Sequence, residues 1–402
     1  MSEAREFDII VYGATGFTGR LVAEYLSLTH KEVPWAMAGR HLAKLESVRA
    51  EINAPASIAL ISANASDPGS LEAMTRRAKV VITTVGPYQQ YGEPLVAACV
   101  KTGTDYVDLC GEPNWMREMI ARYHVPASAS DARIVHSCGF DSIPFDLGVF
   151  FLQQSARERF GAPCQRVRGR VRKMKGTFSG GTMASMFATL EAVRRDPSLA
   201  VVLADPFALS PEKLVQQPSG EAVVHDDGIG WAAPFIMATI NTKNVHRSNA
   251  LLAYAYGRDF AYDEMMLTGE GAAGEKRARA SRKQGGLQAA LLRFAPTRAL
   301  LRSFALPKPG QGPSKQARET GFYEVLFAGQ MPDGRTLRAV VTGDKDPGYG
   351  STSKMIAEAA LCLRDTALAT TKGGVWTPAA AMGAPLIERL QARAGLTFGI
   401  EG

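Results

Sequence analysis

Through the first 140 residues, blocks of consecutive apolar positions alternate with stretches in which apolar residues recur every third or fourth position. The first block, FDIIVYG (7–13), is continuous and closed by glycine, the pattern of a strand covered on both faces. GRLVAEYLSLT follows and sets Leu21, Val22, Tyr25, Leu26 and Leu28 along one helical stripe. PWAMAGR predicts a second strand, and HLAKLESVRAEI a helix with Leu42, Leu45, Val48 and Ile52 on one face. SIALISANA and DPGSLEAMTRRA repeat the unit, with Asp67 as N-cap and Pro68 in the first helical turn. KVVITTVGPY, its helix EPLVAACVKTG, DYVDLCGE and RIVHSCGF bring the count to six strands. This unbroken alternation predicts an α/β fold whose residues 1–139 form a Rossmann-type, doubly wound parallel sheet.

Beyond Gly139 the segments lengthen, as in QRVRGRVRKM and GGTMASMFATLEAVRRD. GFYEVLFAGQ and GRTLRAVVTG, joined by MPDG, predict a hairpin turning at Asp333-Gly334. Residues 140–345 therefore read as a second, α+β domain. The stretch GEGAAGEKRARASRKQGG (269–286) is expected to be a mobile loop.

The apolar run 7–13 leads into Gly13, Gly16 and Gly19, spaced three apart, with Ala14 where a second glycine commonly stands. Between a strand and a helix, such a turn brings free N–H groups and the positive end of the helix dipole to a pyrophosphate. Gly13, Ala14, Thr15, Gly16, Phe17, Thr18 and Gly19 are thus predicted to bind a dinucleotide, the two threonines adding hydroxyls. The second strand ends in Gly39 and Arg40, with no carboxylate until Glu46. A ribose 2′-hydroxyl calls for an acid at this place, whereas a guanidinium matches a 2′-phosphate. NADP is the expected cofactor; a merely solvated Arg40 is the plainer alternative.

At 402 residues, 46% hydrophobic and 21% charged, the composition is that of a globular chain of about two domains. Five scattered cysteines without a CxxC pair argue against a disulfide framework or a zinc site, and for a reducing compartment. No apolar stretch approaches the ~20 residues of a membrane span, and the polar start MSEAREFD does not resemble a signal peptide. The expected location is cytoplasmic. The net charge of +7 is uneven, with basic clusters at 166–175 and 275–318 in an otherwise acidic chain. Such patches suit an acidic or phosphorylated partner better than nucleic acid. Arg166, Arg168, Arg170 and Arg172 would share one face of a strand, either solvated or a docking surface. LQAALLRFAPTRALLRSFAL (287–306), with Arg293, Arg298 and Arg302, would lie on a membrane surface, cover an acyl pocket, or pack as a helix pair.

The motifs GATGFTG, AGR, TTVGPY, YVDLCGE, GFDSIPFDLG, FSGGT, PKPGQGPS, GDKDPGYGSTSKMIAEAALCL and GGVWTPAAAMG span nearly the whole chain. Together they resemble the saccharopine dehydrogenase-like family of NADP-binding oxidoreductases, and most of all its trans-acting enoyl reductase branch. The resemblance implies NADPH-dependent reduction of an enoyl group held as an acyl or polyketide thioester, with a polyketide synthase carrier domain as partner and complex lipid as product. It also implies that residues 346–402 are helices returning to the first domain. Val85, Gly86 and Pro87 would pass beside the cofactor, and Tyr88 would project toward the nicotinamide as a proton donor or simply pack at the domain junction. Asp141 is the second catalytic candidate, with an N-cap of the helix near Ile143 as its plainer role. Glu112 would bind substrate or cap a helix, and His136 reads as buried structure. No metal is required. Imine or ketone reduction, and an NADP-regulated binding protein without turnover, are the competing readings.

Overall fold

A computed structural model describes residues 5–176, 180–293 and 312–401. Its first sheet is parallel throughout, in the order β13-β6-β5-β4-β1-β2-β3. The strands are β1 (Phe7–Tyr12), β2 (Trp35–Gly39), β3 (Ala59–Ser62), β4 (Ala78–Thr83), β5 (Asp105–Val107), β6 (Arg133–Val135) and β13 (Gly374–Trp376). Ile9, Ile10, Val11, Val80, Val81 and Ile82 are wholly buried, as the continuous apolar runs require. Leu45, Val48 and Ile52 face this core, whereas Leu42 is 48% exposed because the first helical turn overhangs the sheet edge. Asp67 caps its helix as expected, its Oδ1 accepting from the N–H groups of Gly69 and Ser70. The order reverses between β1 and β4, which opens a crevice at the carboxyl ends of those strands.

The second sheet is mixed, in the order β14-β12-β11-β7-β10-β9-β8. It comprises β7 (Arg166–Lys175), β8 (Val224–Asp226), β9 (Gly230–Pro234), β10 (Ala261–Gly269), β11 (Phe322–Gln330), β12 (Thr336–Gly343) and β14 (Leu396–Glu401). β11 and β12 form the expected hairpin, with Gly334 at φ +87° in its turn. The long helix Ile143–Phe160 links the sheets and packs on β11 and β12; a Cβ at its Gly148 would lie 2.3 Å from the Phe327 ring. The C-terminal stretch does more than return as helices. Thr352–Asp365 packs on β1, β4 and β5, but the same stretch also adds β13 to the first sheet and β14 to the second.

Two expectations about charge fail. The stretch expected as a mobile loop is part of a helix, Gly271–Arg293, because Ala, Arg, Lys and Gln propagate helix well once nucleated. The four alternating arginines of β7 do share a face, but acids on neighbouring strands meet them. Arg166 pairs with Asp263, Arg170 with Asp226 and Asp263, and Arg172 with Glu324 and Glu401. Arg170 is 1% exposed. Arg170 is the buried centre of an ion network whose outer members Arg166, Arg168 and Arg172 are partly exposed but paired, so this face is not a free basic surface. The segment 294–311, which includes Arg298 and Arg302, lies outside the described residues.

Candidate active site

The turn after β1 is built by three glycines with different tasks. Gly13, at φ +90°, bends the chain, and a Cβ there would meet Val85 Cγ2 at 2.7 Å. Its N–H and that of Ala14 donate to Ala38 O on β2, 3.0 and 3.3 Å. Gly16 donates to Gly13 O (2.9 Å) and stands at the N-cap of helix Phe17–Thr29 with no side-chain cap and no acid in the first turn. Gly19 packs helix against turn, since a Cβ there would lie 2.2 Å from Gly13 O. Helix geometry leaves the N–H groups of Phe17, Thr18 and Gly19 without intrahelical acceptors, so an anion is what this end can hold. The Phe17 side chain turns away from it, edge-on to Tyr349 at 4.7 Å. Thr15 stands beside Gly39, where even a Cβ would be 3.8 Å from its hydroxyl. Thr84, leaving β4, donates its hydroxyl to Gly13 O at 3.3 Å, which draws Val85, Gly86 and Pro87 to the turn across the crevice. Gly86–Pro87 is a cis peptide bond.

Arg40 is exposed at the end of β2 and has no ion pair among the described residues. With no carboxylate beside it, the guanidinium is free for a 2′-phosphate. Arg40→Ala is expected to weaken NADPH binding by about 1.5–3 kcal/mol and to leave NADH nearly unchanged. Fluorescence titration with both dinucleotides checks this; equal losses would remove Arg40 from the phosphate site.

The loops after β4, β5 and β6 line the rest of the carboxyl edge beside the crevice. Tyr88 does not project into it. It is 5% exposed, its hydroxyl donates to Thr83 O (3.2 Å) and accepts from Leu109 N–H (3.0 Å), and its ring packs against Trp115. With both roles of the hydroxyl taken inside the protein, Tyr88 is a packing residue and the expectation of a proton donor is corrected. Glu112 is a cap, but of the short helix Tyr88–Tyr91. Its Oε1 accepts from Tyr88 N–H and the Ser185 hydroxyl, its Oε2 from Gln89 N–H, while burial raises its carboxyl above the usual range. His136 is buried, with Nδ1 2.7 Å from Asp108 Oδ2.

Asp141 is not the expected N-cap. Ser142 holds that position for helix Ile143–Phe160, without a side-chain cap bond. Asp141 Oδ1 is buried with no partner among the described residues, and burial pushes the carboxyl up to about 7. The loop carrying it is held from the C-terminal stretch, where the Thr352 hydroxyl accepts from Phe140 N–H at 3.0 Å. Facing it from the second domain is Glu264 on β10, wholly buried, raised to about 8 by burial and further by the Asp141 charge. Tyr262 donates to Glu264 Oε1 (2.8 Å) and Asn241 to Oε2 (2.9 Å). Asn244 donates to the Ser142 hydroxyl at 2.7 Å. Asn241 and Asn244 belong to helix Ala238–Leu251, whose Lys243, His246, Arg247, Ser248 and Asn249 are also buried. Sequence reading passed over this helix and Glu264. The available signal was a helix polar on every face beside a strand carrying Asp263 and Glu264.

Shallow depressions lined by Gln165, Asp259 and Met331, and by Arg172, Thr397 and Glu401, lie on the second sheet away from this edge. They have no part in the chemistry described here.

A family model described as the saccharopine dehydrogenase NADP binding domain matches residues 9–135. A Mycobacterium tuberculosis protein provisionally named a trans-acting enoyl reductase is 44% identical over 404 residues, 96% of each chain. The trans-acting enoyl reductase of Mycobacterium bovis is 39% identical, covering 98% of each chain. That of Mycobacterium leprae is 38% identical, covering 99% of this chain and 98% of its own. Among solved structures, saccharopine dehydrogenase (L-Glu forming) from Saccharomyces cerevisiae aligns with 98% of this chain and 100% of its own at a TM-score of 0.54 and 13% identity. At that identity the likeness is one of fold.

Proposed function

The chain belongs to the trans-acting enoyl reductase family of NADP-dependent oxidoreductases, and from that premise we propose that it reduces the carbon–carbon double bond of an acyl or polyketide thioester for complex-lipid synthesis. The observation that carries this reading is the reach of the similarity. It covers 96–99% of the chain and so takes in the second sheet and helix Ala238–Leu251 as well as the nucleotide turn. The residues fit the cofactor: the uncapped helix start for pyrophosphate, free Arg40 for the 2′-phosphate, and Val85–Pro87 beside the crevice. NADPH, once bound, supplies hydride; the chain positions the thioester and provides a proton. Steady-state NADPH consumption with an enoyl thioester, a ketone and an imine-forming pair tests the reading. Turnover of the ketone or imine alone would overturn it, and no turnover of any would favour a binding protein.

A carrier-bound substrate is the second part of the proposal. With the β7 arginines paired, a basic surface among the described residues is helix Gly271–Arg293, where Lys276, Arg282 and Lys283 are exposed. Phosphopantetheine carriers are acidic, and charges meeting them act mainly on association, screened over ~8 Å at physiological salt. Changing Lys276, Arg282 and Lys283 to Glu is expected to raise KM for a carrier-bound enoyl group and leave a short enoyl thioester unaffected. High salt on the native protein should do the same. Peripheral membrane contact predicts instead a loss of anionic-vesicle binding with soluble kinetics intact. No helix among the described residues is long and apolar enough to cross a membrane. Cytoplasmic residence, with or without such contact, is part of this proposal.

A further inference from the structure

Three buried side-chain oxygens lie on two segments that touch, the loop after β6 and helix Ala238–Leu251, joined where Asn244 donates to the Ser142 hydroxyl. Asp141 Oδ1, Asn241 Oδ1 and Asn244 Oδ1 all lack partners among the described residues, and Asn241 and Asn244 are wholly buried. Buried polar groups are nearly always paired, so three unpaired in one neighbourhood mark a place that a ligand completes. Asp141 is the member that can give up a proton. Glu264, next to it, has both oxygens occupied by Tyr262 and Asn241 and turns neither to a substrate.

We infer that Asp141 is the acid that delivers the proton accompanying hydride transfer, on the loop after β6 that Asn244 of the second domain holds through the Ser142 hydroxyl. The inference rests on the enoyl-reductase reading above. Its position agrees with that role, since the loop after β6 stands at the carboxyl edge, the same edge as the β1–β4 crevice.

The surroundings keep the carboxyl protonated. On β10 it faces Glu264, which holds the Tyr262 hydroxyl, while Asp263 points to the opposite face and its arginines; helix Ala238–Leu251 brings Asn241 to Glu264 and Asn244 to Ser142. Arg170 on β7 is taken by Asp226 and Asp263. Neither Asp141 nor Glu264 has a cationic partner among the described residues, so burial prevails and the two ionise as a coupled pair above the ordinary carboxylate range.

The step balances. With hydride supplied to the β-carbon by NADPH, the C=C π bond gives its electrons to the thioester enolate. The Asp141 O–H bond breaks as a C–H bond forms at the α-carbon, and water later returns the proton to the carboxylate. Asn241 and Asn244 offer their free oxygens to donors on the substrate.

Asp141→Asn keeps the shape and removes the proton. Its kcat is expected to fall ~10²–10⁴-fold, with NADPH affinity retained. Native kcat should fall as pH rises through about 7, and the residual rate of the variant should lose that limb. An infrared titration of the cofactor-free protein gives a readout independent of turnover. Subtracting the Asp141→Asn spectrum from the native one at about pH 6 should leave a protonated carboxyl band. Glu264 should lose its proton at lower pH in the variant, because the like charge is gone. Asp146, also raised to about 7 by burial but paired with Ser248 and the Ala379 N–H, contributes equally to both spectra.

An ionised Asp141 at about pH 6, or native turnover in folded Asp141→Asn, overturns the inference. Should the variant not fold, a native kcat flat from about pH 6 to 9 overturns it and an alkaline fall supports it. A native protein inactive on every enoyl thioester defeats the functional reading alone, because the infrared titration still decides whether Asp141 stores a proton.

Discussion

Gly16→Val is expected to raise the Kd for NADPH at least ~100-fold, about 2.7 kcal/mol, in a protein that keeps its fold. Gly16 has φ −78° and ψ 163°, extended backbone that any residue adopts. A Cβ there meets only Gly13 O, at 3.2 Å, a contact that a few tenths of an ångström relieve. The valine methyl groups, however, would stand over the uncapped N–H groups of Phe17, Thr18 and Gly19, where the pyrophosphate belongs. Gly19 provides the contrast. A methyl at Gly19 would lie 2.2 Å from Gly13 O and 2.8 Å from Thr84 Oγ1, so Gly19→Ala should disturb the turn itself and lower stability along with binding. Calorimetry on both variants, with circular dichroism as the control for folding, separates blocked ligand from broken turn. Normal NADPH affinity in folded Gly16→Val would show that this helix start does not hold the dinucleotide.

Arg170→Ala is expected to cost ~3–5 kcal/mol of stability, the range for removing one member of a buried ion network. Arg170 is 1% exposed; its Nε donates to Asp226 Oδ2 (2.6 Å), its Nη2 lies 2.8 Å from Asp263 Oδ2, and its Nη1 donates to Gly169 O (2.8 Å). Truncation leaves Asp226 and Asp263 inside the second sheet with Arg166 and Arg168 as their remaining ion-pair partners among the described residues. Denaturant unfolding measures the loss. Arg170→Met combined with Asp226→Asn and Asp263→Asn should lose far less, because the repulsion and the unpaired charge leave together. A cost below ~1 kcal/mol for Arg170→Ala would place this network with solvent-exposed pairs.

The first sheet was legible because its strands are buried on both faces, so each reads as an apolar block with a helical stripe behind it. The nucleotide turn was legible for the same reason: Gly13, Gly16 and Gly19 interrupt that pattern where nothing in packing alone calls for them. What escaped was decided by partners distant in sequence. Arg170 looks like surface until Asp226 and Asp263 arrive on β8 and β10. Tyr88 looks available until Thr83 O and Leu109 N–H take its hydroxyl. Helix Ala238–Leu251 carries no apolar stripe, since its polar side chains pair with carbonyl groups and side chains of other elements: Lys243 with Leu203 O, Arg247 with Leu209 O and Val375 O, Ser248 with Asp146. Asp141 was singled out as a polar residue between apolar segments, but Glu264, whose charge couples to it, lies on a strand more than a hundred residues away.

The bound dinucleotide and the second domain are expected together to reduce a carbon–carbon double bond. Turnover of an enoyl thioester with NADPH deuterated at nicotinamide C4, followed by mass spectrometry of the product, tests it most directly. One deuterium is expected at the β-carbon of a saturated thioester, and, in heavy water with unlabelled NADPH, one deuterium at the α-carbon. Recovery of unreduced enoyl thioester, while the same protein transfers label to a ketone or imine carbon, would contradict it.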